Sequence, residues 1–242
     1  MTNMKTKWIS HRGLSQSHDD NTMTSFRLAE DAGFSWLETD LHTTKDNHIV
    51  LCHDPELTFV SSSSDKIKEM SRIELEAIQL NKGEKLLFLD EFMLEFKHHN
   101  WVFDIKPATV TQTMNALKTI LINDIDLLNK IIFLFWNAQQ QDAFLKNFPE
   151  AVCFSRKGEC YQAGIATLLG VPGLGNIKNN KIYSLTPNFF GLPVLNKTVV
   201  EKFHQYGAQV IGYLPETDSE IQQCLDAGVD YILSNQRPVL IR

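Results

Sequence analysis

The fold of this chain is decided by residues 38–54, which read ETDLHTTKDNHIVLCHD. Glu38, Asp40 and His42 occupy alternate positions, and alternate side chains of a β-strand lie on the same face. A polar segment of turn-forming residues follows, and a second alternating run then leads to His53. The stretch therefore predicts a strand with two carboxylates and an imidazole, folded back so that a second histidine lies near them. The alternative interpretation is an exposed hairpin with ordinary surface charges.

Strand-like and helix-like segments alternate along the rest of the chain. Apolar runs predict strands near residues 8–11, 36–41, 101–106, 130–136, 151–155, 182–185, 209–214 and 231–234. Helical patterns lie near residues 22–32, after residue 71, after residue 89, and over residues 109–122, 138–147, 161–169, 197–206 and 219–227. Repeated βα units of this kind favour a parallel sheet.

The number of parallel strands decides between two architectures. Residues 48–53 follow the second strand after a short turn, whereas a parallel crossover needs about a dozen residues. We therefore expect them to form an antiparallel return outside the parallel sheet. The eight remaining strands predict an α/β fold, a (β/α)8 TIM barrel, with residues 1–242 forming a single domain. An open doubly wound sheet is the alternative, although no Gly-rich nucleotide loop follows the first strand.

Composition limits the classes of function. The formal net charge is −6 and no Lys/Arg cluster is present, which argues against a nucleic-acid partner. No apolar run approaches the roughly 20 residues of a membrane span, so no stable membrane insertion is expected. The four scattered cysteines are expected to be reduced, and the N-terminus lacks the apolar region of a signal peptide. We expect a cytoplasmic protein with a small-molecule substrate and leave its oligomeric state open.

Polar residues cluster at the predicted C-terminal ends of the barrel strands, where TIM-barrel active sites lie. Glu38 and Asp40 close the second predicted strand, and Asp104 closes the third. Three carboxylates from neighbouring strands suit a hard divalent cation such as Mg²⁺ or Ca²⁺. Zinc suits them less well, because no Cys or His pair at ligand spacing accompanies them. We also expect the glycine-containing loop at residues 170–180 at this end of the barrel.

Four further residues at this rim suit phosphate chemistry. Arg12 and Lys106 supply fixed positive charge for a phosphate group. His11 and His53 can act as general acid and base, since imidazole exchanges protons near neutral pH. With a metal ion, these residues predict cleavage of a phosphodiester. Each also has a purely structural interpretation, in which the histidines stabilise the fold, Arg12 anchors a loop and Lys106 pairs with Asp104.

A series of short motifs extends over nearly the whole chain. The motifs are His11-Arg12-Gly13, Asn21-Thr22, Ser25-Phe26, Glu38-Thr39-Asp40, Thr44-Lys45-Asp46, His53-Asp54, Asp104-Ile105-Lys106-Pro107, Gly228-Val229-Asp230-Tyr231-Ile232 and Arg237-Pro238. In this order they resemble the glycerophosphodiester phosphodiesterases. The resemblance implies a metal-dependent TIM-barrel hydrolase that cleaves a glycerophosphodiester to glycerol 3-phosphate and an alcohol.

The resemblance also implies a role for each candidate residue. By the family's pattern the acid–base pair is His11 and His53, the metal ligands are Glu38, Asp40 and Asp104, and the phosphate is held by Arg12 and Lys106. Tyr213 stands near the seventh strand, where the family tends to have a tryptophan, and we expect it to form an aromatic wall beside the substrate.

Several positions depart from the family's pattern. Asp104 stands where the family usually has the longer Glu, and Asp19 and Asp20 replace a usual Pro-Glu pair. Near the last strand, Ser234 and Asn235 replace a usual Thr-Asp. These changes lie at the rim that would contact the leaving alcohol, so they bear on the substrate more than on the reaction.

Two alternative functions follow from the same residues. One is a related phospholipase D-like barrel enzyme that acts on lysophospholipid headgroups, for which Phe189, Phe190 and Leu192 could provide an apolar approach for the acyl chain. The other is a catalytically weak phosphodiester-binding protein, suggested by Asp104 and by the loss of the usual segment after the seventh strand.

Overall fold

Twelve strands appear in the computed structural model, which describes residues 6–122 and 124–238. In chain order they are β1 (Lys7–His11), β2 (Trp36–Thr43), β3 (Ile49–Leu51), β4 (Leu87–Phe88), β5 (Asn100–Ile105), β6 (Ile131–Phe135), β7 (Val152–Cys153), β8 (Ile182–Leu185), β9 (Asn188–Phe189), β10 (Leu192–Pro193), β11 (Gln209–Tyr213) and β12 (Tyr231–Ser234). Eight of these strands pair in parallel, in the spatial order β7-β6-β5-β2-β1-β12-β11-β8. They are the eight predicted from the apolar runs.

The parallel sheet closes on itself between β7 and β8. Phe154 and Ile182 form an isolated parallel bridge, and the Ser155 amide donates to the Ile182 carbonyl at 2.8 Å. Closure removes the open edges that a doubly wound sheet would leave. The predicted (β/α)8 barrel is therefore confirmed.

Nine α-helices are present in the described part of the chain. They are α1 (Met23–Asp31), α2 (Arg72–Glu76), α3 (Leu89–Glu95), α4 (Val110–Leu121), α5 (Ile125–Leu128), α6 (Ala138–Asn147), α7 (Lys157–Leu168), α8 (Lys197–Gln205) and α9 (Asp218–Ala227). Helix α7 begins four residues before its predicted start, because the Glu159 carboxylate accepts a hydrogen bond from the Arg156 amide and caps the first turn. No described helix is long and apolar enough to cross a membrane.

Alternation along each barrel strand separates two apolar layers. On β5, Trp101, Phe103 and Ile105 pack towards the helices, whereas Val102 packs inside the barrel. Asp104 lies two positions after Val102 on the strand, so its carboxylate is on the same inner face, above that core. All four cysteines are buried and free, as the sequence predicts.

The return after β2 is antiparallel, as predicted. Strand β3 pairs with β2 with Leu41 opposite Leu51, and β4 adds to β3. Residues between β3 and β4 enclose a small apolar core of their own, which includes Leu57, Ile67 and Leu75. This packing fixes the segment that begins at the end of β3 and carries His53.

Two positional expectations were wrong. Strand β2 continues to Thr43 because it pairs with the return, so Glu38 and Asp40 lie within the strand rather than at its end. The loop at residues 170–180 leads from α7 into β8, and the Asn180 amide donates to the carbonyl of Gly207, which precedes β11. A loop that enters a barrel strand lies at the N-terminal end of the barrel, opposite the predicted site.

Candidate active site

Three acidic side chains converge inside the barrel. Glu38 and Asp40 come from β2 and Asp104 from the adjacent β5, where Asp40 and Asp104 are register partners. One ligand oxygen from each residue lies within 4.8 Å of the other two, and all three side chains are buried. The structure thus brings the three predicted metal ligands together. The shorter Asp104 still reaches the group.

Two cations lie beside these carboxylates, the buried Lys106 and the partly buried Arg12. The Lys106 Nζ lies 2.8 Å from Asp40 Oδ1 and 2.7 Å from Asp104 Oδ2. The Arg12 Nε lies 2.9 Å from Asp40 Oδ2, and its Nη1 lies 3.3 Å from Asp20 Oδ2. Arg12 has a left-handed backbone with φ +57°, in which its amide donates to Glu38 Oε2 at 3.1 Å. The cations therefore sit where a phosphate bound beside the acidic group would meet them.

The charge balance differs among the three carboxyls. Burial and the nearby charges of Asp40 and Asp104 raise the pKa of Glu38 well above its usual value. Burial, opposed by Lys106, also raises the pKa of Asp104. For Asp40, burial acts in the same direction, but Lys106 and Arg12 outweigh it and lower the pKa. The two cations thus stabilise the ionised form of Asp40 more than that of Glu38 or Asp104.

This donor set fits a hard divalent cation. It consists of carboxylate oxygens alone, which Mg²⁺ and Ca²⁺ prefer, and its three carboxyl groups outnumber the two cations, Arg12 and Lys106, that lie beside them. Asp40 Oδ2 has two donors, Arg12 and Asn21, whereas Asp40 Oδ1, both Asp104 oxygens and Glu38 Oε2 have one partner each and so keep a lone pair. Glu38, Asp40 and Asp104 would therefore hold the ion.

His11 closes β1 beside this group. Its Nδ1 lies 2.8 Å from Asn235 Oδ1, so Nδ1 carries the proton and Nε2 is left as an acceptor. Burial and the charge of Arg12 lower the pKa of His11 from 6.5 to about 4. The ring is neutral at pH 7 and suited to accept a proton.

His53 lies on the segment that follows β3. Its Nδ1 is 3.0 Å from Asp54 Oδ1, which orients the ring and leaves Nε2 for proton transfer. Its carbonyl accepts a hydrogen bond from His42 Nε2 at 3.2 Å, and His42 Nδ1 is bonded to Thr109 Oγ1. His42 therefore fixes the backbone of His53 and is not among the three residues that could share a metal ion.

A single cavity of about 450 Å³ joins these residues. The predicted site residues that line it are His11, Arg12, Glu38, Asp40, His53, Asp104, Lys106 and Tyr213. Tyr213, at the end of β11, is 39% exposed, so its ring is available as a side wall. The structure thus brings all eight predicted site residues to one place.

Three residues that sequence reasoning did not assign complete the site. Trp136 donates from Nε1 to Asp104 Oδ1 at 2.7 Å, and its ring lies 5.4 Å from Lys106 Nζ. Asn21 donates to Asp40 Oδ2 at 2.9 Å, and Asn235 orients His11. Trp136 is the last residue of the strand predicted over residues 130–136, and that position at a strand's C-terminal end was the available signal.

Comparison with known proteins agrees with this geometry. A sequence profile described as the glycerophosphoryl diester phosphodiesterase family matches residues 11–237. A glycerophosphodiester phosphodiesterase from Caldanaerobacter subterraneus subsp. tengcongensis is 23% identical, over 98% of this chain and 97% of that protein.

Solved structures share the fold. The glycerophosphoryl diester phosphodiesterase domain of a Mycobacterium tuberculosis protein has a TM-score of 0.81 at 14% identity, over 96% of this chain and 97% of that one. An Oleispira antarctica phosphodiesterase, solved in complex with the product sn-glycerol-3-phosphate, has a TM-score of 0.73 at 20% identity, over 96% and 93%. The protein therefore belongs to the glycerophosphoryl diester phosphodiesterase family and is a phosphoric diester hydrolase.

Proposed function

We propose that this enzyme hydrolyses a glycerophosphodiester to glycerol 3-phosphate and an alcohol, with Mg²⁺ or Ca²⁺ bound by Glu38, Asp40 and Asp104. The observation that carries the proposal is the single cavity that contains both this acidic group and the two histidines, His11 and His53. Family membership supports the reaction class, and the metal dependence and the roles of the histidines are our assignments.

The chain's own residues supply binding and proton transfer. Lys106 has three N–H groups and uses two on carboxylates, so one remains for a phosphate oxygen. Arg12 adds a second cation, and Tyr213 lines the wall beside it. His11 and His53 each keep Nε2 free, so one can accept the proton of the attacking hydroxyl while the other protonates the leaving alcohol.

A divalent cation at the acidic group would neutralise charge on the phosphoryl oxygens and lower the pKa of a bound hydroxyl. Trp136 donates a hydrogen bond to Asp104 and Asn21 donates one to Asp40. These bonds hold the ligand oxygens in one geometry before substrate binds.

Glycerophosphocholine hydrolysis tests the two histidines. His11→Asn or His53→Asn should lower kcat by about 10²–10⁴-fold, because each removes a proton-transfer group. His48→Asn is the matched control, since His48 is half-exposed and does not line the cavity. EDTA should abolish activity, and added Mg²⁺ or Ca²⁺ should restore it. Wild-type turnover by either histidine variant would remove the acid–base assignment, and full activity in EDTA would remove the metal.

A further inference from the structure

The catalytic cavity has an apolar side that hydrolysis of a small polar phosphodiester does not need. Helix α7 forms much of this side, through Tyr161, Ile165 and Leu168. Their spacing of i, i+4 and i+7 places them along one helix face. Each is 45–47% exposed, so the face borders an open groove instead of a packed core.

A short hairpin forms a second wall of this groove, through Phe189. It consists of β9 and β10, residues 188–193, and the Phe189 ring lies 6.2 Å from the Tyr161 ring. The hairpin is tied to the body of the protein, since Asn188 Nδ2 donates to Glu220 Oε1 on α9. The groove therefore has two fixed apolar walls and opens into the same cavity as the catalytic residues.

The tip of the hairpin is unfavourable for an isolated protein in water. Phe190 has φ +49° and is 92% exposed, and the following Gly191 has φ +77°. Two-residue turns of this kind favour Asn-Gly, because a bulky residue rarely adopts positive φ. A strained and exposed aromatic ring on a fixed hairpin points to a role in contact with an apolar ligand.

Cations also line the cavity near the apolar walls. Arg156 and Lys157, at the start of α7, are both lining residues. The Lys157 Nζ lies 5.8 Å from the centre of the Tyr161 ring and forms no ion pair with any described residue. Positive charge beside an apolar groove complements a molecule that has a phosphate at one end and a hydrocarbon chain at the other.

We infer that the groove between α7 and the hairpin binds the acyl chain of a monoacyl glycerophosphodiester. The inference rests on the proposed phosphodiester hydrolysis and specifies its substrate. The P–O bond to the headgroup alcohol breaks, and one water molecule supplies the oxygen that replaces it on phosphorus and the proton that the alcohol takes. The products are a monoacylglycerol phosphate and the free alcohol. Phe190 extends the apolar surface beyond the groove.

Binding of alkylphosphocholines, measured in EDTA so that the phosphodiester is not hydrolysed, tests the groove. Hexyl-, octyl- and decylphosphocholine, each below its critical micelle concentration, are titrated into the full-length protein and binding is measured by calorimetry. The Kd should fall about twofold to fourfold for each added CH2, because each buried methylene gains a similar free energy. An affinity that does not depend on chain length would overturn the inference.

Substitutions on α7 test whether the acyl chain binds in this groove. Ile165→Gln combined with Leu168→Gln makes the groove polar, whereas Leu169→Gln changes a neighbouring residue that is 73% exposed and does not line the cavity. The double variant should weaken decylphosphocholine binding at least tenfold, and Leu169→Gln should not. The double variant should also lower kcat/KM on 1-lauroyl-lysophosphatidylcholine at least tenfold more than on glycerophosphocholine. Equal effects of the double variant and the Leu169 control would reject the groove.

The two proposals fail in different ways. Hydrolysis of glycerophosphocholine with no preference for the lauroyl substrate, and no dependence of binding on chain length, would reject the groove and keep the phosphodiesterase reaction. Chain-length-dependent binding without hydrolysis of either substrate would support the groove and reject the reaction.

Discussion

At the scale of single residues, the orientation of His11 depends on a partner that is distant in sequence. Asn235 accepts from His11 Nδ1 at 2.8 Å, although 224 positions separate the two residues. They meet because β12, which ends just before Asn235, is the parallel neighbour of β1 in the closed barrel. The amide oxygen fixes the tautomer of His11, and its hydrogen bond raises the pKa of His11, although burial and Arg12 outweigh this effect.

Substitutions at Asn235 should separate orientation from charge. Asn235→Ala removes the acceptor and should lower kcat about 10–100-fold, as expected for groups that orient a functional imidazole. Asn235→Asp keeps the acceptor and adds a negative charge, so it should raise the pKa of His11 above about 4. Activity that requires neutral His11 is lost as pH falls through this pKa. The acid limb of the kcat/KM profile should therefore move to higher pH in the Asp variant.

The pH profiles of the wild type and both variants provide the measurement. An acid limb that stays in place in Asn235→Asp would show that His11 does not control it. A wild-type kcat in Asn235→Ala would show that the hydrogen bond does not position the base.

At the scale of elements, the loop between β1 and α1 depends on a glycine. Gly13 has φ +80°, and a Cβ there would lie 2.4 Å from Ser25 Oγ and 2.6 Å from the Ser25 carbonyl carbon. Ser25 is buried near the start of α1, and its hydroxyl donates to the Arg12 carbonyl. The glycine thus lets the helix approach the strand end that carries His11 and Arg12.

Alanine substitutions at two glycines should isolate this steric contact. Gly13→Ala should lower the free energy of unfolding by about 3–5 kcal/mol, since it adds overpacking to an unfavourable φ. Gly33→Ala is the control, because Gly33 has φ +88° but no atom within 4 Å of the added Cβ. It should cost only about 1–2 kcal/mol. Urea denaturation measures both, and equal losses would remove the steric explanation.

Sequence patterns predicted the elements well where periodicity is strong. The eight barrel strands and the antiparallel return follow from apolar alternation and from the length of each connection. The hairpin of β9 and β10 was not predicted, because its strands have two residues each and its turn contains Phe190 instead of a typical turn residue. The end of β2 was misplaced because pairing with β3, a tertiary contact, extends it to Thr43.

At the scale of the whole molecule, barrel closure explains which site residues could be predicted. His11, Glu38, His53, Asp104 and their neighbours carry motifs or lie at predicted strand ends. Asn235 acts through a contact with His11, 224 positions away, which no local pattern contains. Trp136 lies at a predicted strand end, but its contact with Asp104 depends on the pairing of β5 with β6. The net charge of −6 gave no sign of the cations inside the cavity, since their position is a property of the fold.

The buried acidic group should also govern how stability depends on pH. The pKa of Glu38 is raised well above its usual 4.5 by burial and by Asp40 and Asp104. The folded protein therefore keeps a proton at Glu38 that the unfolded chain releases above about pH 4.5. The stability that this proton contributes is present below that pH and is lost as pH rises through the folded-state pKa.

Glu38→Gln tests this linkage, because the amide keeps the shape of the side chain without its charge. Without metal, the variant should become more stable than the wild type as pH rises from about 5 to 8, by up to about 1.4 kcal/mol per pH unit. Added Mg²⁺ or Ca²⁺ should raise the Tm of the wild type and reverse this order, since the ion replaces the proton and stabilises only the folded state. Thermal unfolding at several pH values, with and without metal, measures both effects. If the metal raises the Tm of the wild type by no more than it raises the Tm of Glu38→Gln, Glu38 is not a metal ligand.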